Sequence, residues 1–343
     1  MSDGVASSDN VNQPFGAHSA ALESALRAAI PAGASPLAAA ARYVMGWEDE
    51  QGRHADAGGK RLRPHLALFA AEAFGAPFED ALPGAVAVEL VHNFSLVHDE
   101  VQDHDAERHG RPTLWARVGT AQAINVGDYL FTLASRALSG ASGDAGRNLL
   151  ALDVLNRAIE RMVTGQWGDI SFETRADVTT DDYLAMVAGK TGALLGAPLE
   201  IGAILAGASR DDARTLGRWG EQVGLAFQAQ DDYLGIWGEP DLTGKSNTND
   251  IARRKKTLPI IIGLRDPAAA AVVSAAYAAP EGAEVDVAGI VRALDACGAG
   301  ERCRAEAQSH AGEAERLLAA LELPDDTKLA FRAVADLLVN RSS

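Results

Sequence analysis

The sequence predicts an all-α protein whose single domain is a helical bundle. Alanine and leucine, both strong helix formers, dominate over the β-branched residues. Hydrophobic residues make up 47% of the chain and fall in long runs, and no stretch alternates between apolar and polar residues as a half-buried strand does. No linker divides the 343 residues into two cores, so we predict a tail over residues 1–18 and one domain over residues 19–343.

Apolar runs with helical spacing place the helices, and glycine or proline residues separate them. The first helical segment runs from Ser19 to Trp47 and breaks near Pro31–Pro36, and a glycine-rich loop then leads into a helix that starts close to Pro64. A proline in the first turn costs little, because its missing N–H would have no partner there. Further helices are predicted over residues 81–98, 118–140, 144–173, 180–208 and 211–237, followed by alanine-rich helices with breaks near 279–283, 298–300 and 323–326.

Composition argues against several classes of protein. The net charge of −16 argues against nucleic-acid binding, because no basic surplus exists to neutralise phosphates. Cys297 and Cys303 are too few for a disulfide framework or a structural zinc site, and we expect reduced thiols in a cytoplasmic protein. The apolar run over residues 191–208 contains Glu200 and is expected to be a buried helix rather than a membrane span. The polar residues 1–18 lack the pattern of a signal peptide and are predicted to be disordered.

Two acidic pairs stand at the ends of apolar helices. Asp99 and Asp103 are four residues apart, so on a helix their carboxylates project from one face and repel each other unless a cation neutralises them. Mg²⁺ is bound by one or two carboxylates together with substrate phosphates, which suits this pair, although an isolated pair also fits a solvated helix end. Asp231 and Asp232 form the second pair, and we expect the two helix ends to face each other across the bundle and to hold Mg²⁺ against a diphosphate.

Basic residues also gather near the ends of apolar helices. Any one of them alone fits a solvated surface, but together with the acidic pairs they fit a cage for phosphate groups. The cations are Lys60, Arg61 and Arg63 in one group, Arg108 and Arg111 in a second, Lys190 and Lys245 singly, and Arg253, Arg254, Lys255 and Lys256 in a third group.

Seven motifs in a fixed order resemble those of a known family. They are GGKRLRP at 58–64, DEVQD at 99–103 with RHGRPT at 108–113, GQWGD at 165–169, KTGAL at 190–194, FQAQDDYLG at 227–235, TGK at 243–245 and KKTLP at 255–259. Over residues 20–340 the chain resembles the trans-isoprenyl diphosphate synthases, also called polyprenyl synthetases. The resemblance implies an all-α bundle with a central active-site cavity, a homodimer, and a reaction that joins isopentenyl diphosphate to dimethylallyl, geranyl or farnesyl diphosphate.

The resemblance also implies a role for each motif residue. Asp99, Asp103 and Asp231 would bind Mg²⁺, with three ions at each active site when diphosphate is bound, and these aspartates with Lys190 form the implied catalytic set. The residues implied to bind substrate are Lys60, Arg63 and His92 for isopentenyl diphosphate, Arg108, Lys190, Thr191, Gln228 and Lys245 for the allylic diphosphate, and His109, Asp231 and Lys255 in addition. The implied chemistry is ionisation to an allylic carbocation, attack by the isopentenyl double bond, and loss of a proton to the departing pyrophosphate.

Three positions depart from the family pattern. Glu100 replaces the second aspartate of the first acidic motif, at a position that is not a direct metal ligand in the family. Gly235 replaces the last aspartate of the second motif, which is expected to weaken metal binding. His109 replaces an arginine that contacts isopentenyl diphosphate. A neutral histidine lacks the guanidinium fork, so Arg111 is considered as a compensating residue, with an ordinary loop role for His109 as the alternative.

The residues just before the first acidic motif predict the length of the product. Phe94 and Ser95 precede Asp99 by five and four residues, about one turn deeper in the pocket. A bulky side chain there stops the growing tail, because a packed interior does not absorb extra methylenes cheaply. In the family, an aromatic residue followed by a small one at these positions goes with geranylgeranyl (C20) products, and two aromatic residues go with farnesyl (C15) products. We therefore predict a C20 product.

Two other functions stay open from the sequence. One is a class I terpene cyclase on the same fold, which the changes at 109 and 235 favour but which has no use for GGKRLRP and His92. The other is a non-catalytic partner subunit of a heteromeric synthase, which would have no need of Asp99, Asp103 and Asp231. The sequence does not indicate the preferred allylic primer, the downstream pathway or a dedicated partner protein.

Overall fold

Helices make up nearly all of the regular structure in the computed structural model, which describes residues 17–33, 35–238, 249–280 and 283–339. The helices are α1 Ser19–Ala29, α2 Pro36–Val44, α3 Leu62–Ala73, α4 Leu82–Gln102, α5 Leu114–Val118, α6 Thr120–Ser139, α7 Ala145–Phe172, α8 Thr180–Val187, α9 Ala193–Ala206, α10 Arg210–Trp237, α11 Asn249–Ala252, α12 Leu258–Arg265, α13 Ala270–Tyr277, α14 Val287–Ala296, α15 Ala299–Ala320 and α16 Asp325–Val339. The only strands in these described residues are β1 Glu107–Arg108 and β2 Arg111–Pro112, which pair antiparallel. The predicted all-α fold is confirmed.

The predicted helices are present, and three boundaries differ from the prediction. The helix predicted to end at residue 98 continues to Gln102, so that Asp99 lies inside α4. The helix predicted over residues 118–140 begins at Thr120, and a short helix that was not predicted, α5, precedes it; Gly119, with a φ of +81°, separates the two because a positive φ interrupts a right-handed helix. The helix predicted over 180–208 contains one π-helical turn, Ala188–Gly192, between α8 and α9.

The contacts within the chain divide it into two compact units. The first comprises Met1–Arg157 and Ala197–Arg214, and the second comprises Ala158–Gly196 and Thr215–Ser343. Helices α7, α9 and α10 each continue from one unit into the other. A single domain over residues 19–343 stays a prediction. Residues 1–16 of the predicted tail lie outside the described residues.

In the first unit, α4 is the helix on which the others pack. It contacts α1, α3, α5 and α6, and its buried residues run from Gly84 to Val97. A Cβ on Gly84 would overlap the side chain of Ile201 in α9, so α9 approaches the α4 backbone closely. Burial on several sides explains why α4 has an almost continuous apolar sequence instead of a narrow apolar stripe.

In the second unit, the core surrounds the short helix α12. All of its residues from Leu258 to Gly263 are buried, and they share one apolar cluster with residues of α8, α10, α13, α14 and α15. Cys303 lies in this cluster and Cys297 beside it, both as free thiols, as predicted.

In the described part of the chain, one continuous helical stretch is long and apolar enough to span a membrane by length and composition. It is Thr180–Ala206, and 61% of its most apolar window is buried inside the protein. This burial agrees with the prediction of a core helix over residues 191–208.

Candidate active site

The first acidic motif lies at the C-terminal end of α4, in the first unit. Asp99 is half-buried and Asp103, the residue that caps α4, is exposed. The Asp103 N–H donates to the Asp99 carbonyl at 2.8 Å, which places the two residues one helical turn apart on one face. This pair therefore has the geometry that the sequence predicts for a carboxylate pair that binds Mg²⁺.

Glu100 contacts Arg108 and the backbone of Leu114, unlike Asp99 and Asp103. It is half-buried, an oxygen of its carboxylate lies 3.8 Å from Arg108, and it accepts a hydrogen bond from the Leu114 N–H. Burial raises the pKa of Glu100, and Arg108 opposes that rise. These contacts agree with the expectation that position 100 does not bind metal directly.

Arg63 of α3 and His92 of α4 form a half-buried pair in the same unit. An Nη of Arg63 lies 3.3 Å from Nε2 of His92, and both side chains are half-buried. Burial, followed by the charges of Arg63, Arg108 and Arg61, holds the pKa of His92 well below its ordinary value. His92 is therefore neutral, and its Nε2 accepts a hydrogen bond from Arg63.

One donor of Arg63 makes no hydrogen bond among the described residues. This donor is the buried Nε, and burial lowers the pKa of Arg63. A buried donor without a partner costs free energy, and an anion that reached Nε would relieve that cost. Lys60, four residues before Pro64 of α3, is exposed at the start of the same segment.

Arg61 has a structural role, although the sequence groups it with Lys60 and Arg63. Its φ is +49°, and its two Nη atoms donate to a carboxylate oxygen of Glu89 and to the Met45 carbonyl, both at 2.7 Å. Asn93 also donates to the Glu89 carboxylate at 2.8 Å. This buried network holds the GGKRLRP loop against α4. Arg61 therefore positions the loop, whereas Arg63 contacts His92.

His109 lies at the tip of the β1–β2 hairpin. Its φ is +50° and that of Gly110 is +72°, which is the left-handed pair that a two-residue hairpin turn requires. Histidine adopts this region more readily than most residues do. The turn therefore gives His109 a conformational role and agrees with the alternative that it is a loop residue.

The compensation that the sequence suggested for Arg111 is not favoured by its contacts. An Nη of Arg111 donates to the Glu48 carbonyl at 2.9 Å, and its guanidinium lies over the Tyr43 ring at 4.5 Å. Tyr43 in turn donates from its hydroxyl to the Pro112 carbonyl at 2.6 Å. Arg111 thus anchors the hairpin, while Arg108 stays exposed beside Glu100.

Lys190 lies in the π-helical turn of the second unit, against α7. A Cβ on Gly165 would lie 2.5 Å from the backbone nitrogen of Lys190, and a Cβ on Gly189 would lie 2.5 Å from the carbonyl oxygen of Arg161. The backbones of α7 and the π-helical turn can therefore come into contact only because both residues are glycine. This close approach brings Nζ of Lys190 to 2.5 Å from a carboxylate oxygen of Asp169. Sequence reasoning assigned no role to Asp169; its position in the GQWGD motif, one turn after Gly165, was the available signal.

The two aspartates of the second acidic motif differ completely in environment. Asp231 is exposed, whereas Asp232 is 5% exposed and accepts hydrogen bonds from the Tyr183 hydroxyl, from the Leu258 N–H at 2.8 Å and from Nε2 of Gln228 at 2.9 Å. Burial raises the pKa of Asp232 to about 6. Asp232 therefore joins α8, α10 and α12, and only Asp231 has the exposure that a metal ligand needs.

Gln228 and Thr191 lie next to each other in the second unit. Because Nε2 of Gln228 donates to Asp232, its carbonyl oxygen is the group that lies 3.5 Å from the Thr191 hydroxyl. Any contact of Gln228 with a phosphate through Nε2 would have to replace its bond to Asp232. Among the described residues, a Cβ on Gly235 of α10 would meet only Asp250, at 3.7 Å.

Half of the basic cluster at 253–256 is structural. Nζ of Lys256 donates to the carbonyls of Phe172, Glu173 and Arg175, and so satisfies acceptors at the C-terminal end of α7. Arg254 donates to carbonyls that follow α13. Lys255 is exposed, as a substrate-binding residue must be, and Lys245 lies outside the described residues.

The exposed and half-buried aspartates suit a metal ion whose remaining ligands come from the substrate. Among the described residues no group of three or more His, Cys, Asp and Glu side chains could hold a metal ion. Mg²⁺ needs only one or two carboxylates when phosphate oxygens and water complete its shell. The Asp99–Asp103 pair in the first unit and the exposed Asp231 in the second each supply carboxylates of the kind that Mg²⁺ accepts.

Comparison with known proteins identifies the family. The polyprenyl synthetase family profile matches residues 49–294. From Mycobacterium tuberculosis H37Rv, a (2E,6E)-farnesyl diphosphate synthase is 41% identical over 307 residues (88% of this chain and 85% of that protein), and a geranylgeranyl diphosphate synthase is 43% identical over 257 residues (74% and 73%). A crystal structure of a polyprenyl synthetase from Streptomyces coelicolor A3(2) superimposes with a TM-score of 0.85 and 41% identity, covering 93% of this chain and 96% of that one. The chain therefore belongs to the polyprenyl synthetase family and is a short-chain trans-prenyltransferase.

Proposed function

We propose that the enzyme condenses isopentenyl diphosphate with an allylic diphosphate, in the presence of Mg²⁺, to give geranylgeranyl diphosphate. The observation that carries this proposal is the half-buried Arg63–His92 pair, in which the buried Nε donor of Arg63 has no partner among the described residues. His92 and Asp99 are seven residues apart on α4, which puts them on one helix face about 10 Å apart along the axis. A second anionic substrate held by Arg63 would therefore lie near the metal-binding carboxylates, as condensation requires.

Eight of the motif residues have a role in the proposed reaction. Asp99, Asp103 and Asp231 would hold Mg²⁺, and the metal would supply positive charge that stabilises the leaving pyrophosphate. Lys190, held by Asp169, binds the allylic diphosphate together with Arg108, and Lys60, Arg63 and His92 hold isopentenyl diphosphate. The allylic C–O bond breaks, the isopentenyl double bond attacks the carbocation, and a proton leaves to pyrophosphate, so that no side-chain base is needed.

The proposed C20 product follows from the side chains at positions 94 and 95. Phe94 is 8% exposed and supplies an aromatic floor, whereas the Ser95 hydroxyl donates to the His92 carbonyl at 2.8 Å and occupies little space. Replacing Ser95 with phenylalanine is expected to shorten the main product to C15, because the new ring fills the space beside Phe94. Mass spectrometry of the products measures this change, and Ser95→Ala is the matched control; an unchanged C20 product from Ser95→Phe would refute the floor assignment.

A homodimer and a cytoplasmic location are parts of the same proposal. Val163, Trp167 and Ile170 of α7 are 52%, 79% and 42% exposed, and their spacing puts them on one helix face. An exposed apolar stripe of this kind is typical of a surface that a partner covers, and a second copy of the chain is the partner that the family resemblance implies. The free thiols Cys297 and Cys303 are consistent with a reducing compartment.

A single assay tests the proposal against its two rivals. The purified protein is incubated with Mg²⁺ and farnesyl diphosphate, with and without isopentenyl diphosphate, and the products are identified by mass. We expect elongation to the C20 diphosphate only when isopentenyl diphosphate is present. A hydrocarbon formed in its absence would instead indicate a terpene cyclase, and no product in either tube would indicate a non-catalytic subunit. Light scattering on the same sample tests the homodimer.

A further inference from the structure

Where α4 packs against α6, the imidazole of His98 lies directly against the backbone of Gly127. A Cβ on Gly127 of α6 would overlap the imidazole of His98 on α4, so His98 occupies space that exists only because residue 127 is glycine. Nε2 of His98 lies 3.4 Å from the Ile124 carbonyl and 3.8 Å from an Asp128 carboxylate oxygen, both on α6. The α6 backbone therefore limits where the imidazole of His98 can lie.

The same imidazole contacts the ring that is proposed to end the product tail. His98 and Phe94 are four residues apart on α4, and their rings meet edge to face with centroids 4.9 Å apart. Phe131 of α6 lies against Phe94 with a centroid distance of 5.6 Å. The Phe94 ring is thus held on one side by His98 and on another by Phe131, and His98 is held in turn by the backbone at Gly127.

We propose that His98 and Gly127 act as a positioning pair that sets the orientation of Phe94 and thereby the chain length of the product. His98 acts through Phe94 and does not touch the reacting atoms. This inference rests on the proposed function and on Phe94 as the floor of the tail pocket. It adds a second helix to the control of product length, because the residue on α6 decides how far His98 can move from Phe94.

The two positions are expected to change the product in opposite directions. In His98→Ala, the Phe94 ring can turn into the vacated space, which deepens the tail pocket and raises the share of products longer than C20. In Gly127→Ala, the new methyl group displaces the imidazole against Phe94, which narrows the pocket and raises the share of C15 product. We expect about a tenfold change in the product ratio in each case, which corresponds to about 1.4 kcal/mol.

The double variant distinguishes positioning from general damage. In His98→Ala/Gly127→Ala the added methyl group enters the space that the imidazole leaves, so the product ratio should return toward that of the wild type. Gly312→Ala is the control for the glycine-to-alanine change, because a Cβ at this helical position has open space. Thermal melting of all four variants identifies any that fail to fold, and His98→Ala together with the double variant carries the test if Gly127→Ala does not fold.

The outcomes separate this proposal from the one on which it rests. Absence of elongation by the wild-type enzyme would refute the proposed function, and an unaltered product in Ser95→Phe would refute the floor assignment. If the wild type makes C20 product and Ser95→Phe shortens it, but His98→Ala and the double variant keep the wild-type product ratio, the positioning pair is refuted. Opposite shifts in the two single variants and recovery in the double variant would support it.

Discussion

Replacing Arg63 with methionine is expected to raise the KM for isopentenyl diphosphate about a hundredfold and to change the KM for the allylic diphosphate much less. Methionine fills a similar volume but removes the guanidinium, including the Nε donor that has no partner among the described residues. Loss of two charge-assisted hydrogen bonds at about 1.5 kcal/mol each gives a change of this size. Steady-state kinetics with each substrate varied in turn measures the two KM values.

Two further arginine variants make this test specific. Arg316→Met changes an exposed arginine of α15 and should leave both KM values unaltered. Arg61→Met leaves Glu89 buried without its ion-pair partner, so it should lower the melting temperature. Equal increases in both KM values for Arg63→Met would contradict a site that is specific for the second substrate.

Replacing Asp99 or Asp103 with asparagine is expected to lower kcat about a thousandfold at saturating Mg²⁺. Each change removes one negative charge from the pair that is proposed to hold the metal, and metal stabilisation of a leaving phosphate contributes several kcal/mol to the barrier. The melting temperature should stay the same or rise, because the repulsion between the two carboxylates is relieved. Single-turnover rates measured over a range of Mg²⁺ concentrations check the expected loss.

Glu100→Gln is the matched control for these two variants. It removes a carboxylate from the same motif, but Glu100 contacts Arg108 and the Leu114 N–H, so its loss should lower kcat less than tenfold. Calorimetric titration with Mg²⁺ and inorganic pyrophosphate gives a readout besides turnover, and it should show weaker binding in Asp99→Asn than in Glu100→Gln. Wild-type turnover in Asp99→Asn would remove this residue from the proposed metal site.

The sequence predicted the fold well because its helices are long and their apolar spacing is regular. What it missed are differences between neighbouring residues of the same type. Arg61 and Arg63 belong to one basic group, yet Arg61 has a left-handed backbone and binds Glu89, whereas Arg63 lies beside His92. Residue type and spacing do not reveal which partner each of two nearby side chains contacts. That depends on how the segment is rotated against its neighbours.

The same limit applies to the residues of the second unit. Asp232 follows Asp231 directly and is buried under Tyr183, and the depth of that burial follows from the packing of α8 and α12. The role of Asp169 depends on the π-helical turn at Lys190, and a single extra residue in a helical turn leaves no periodic signal. The family resemblance identified the motifs, whereas the contacts of each residue came from the structure.

The helix α4 has one further consequence for how this enzyme would vary between relatives. His92, Phe94 and Asp99 are joined by a single stretch of hydrogen-bonded backbone, so covalent geometry fixes the axial distances between them. Substitutions elsewhere in the fold can shift α4 as a whole without altering those distances. The rotation of the Phe94 ring remains adjustable. We therefore expect single substitutions to change the product length while the distance between His92 of the proposed isopentenyl diphosphate site and Asp99 of the proposed metal pair stays the same.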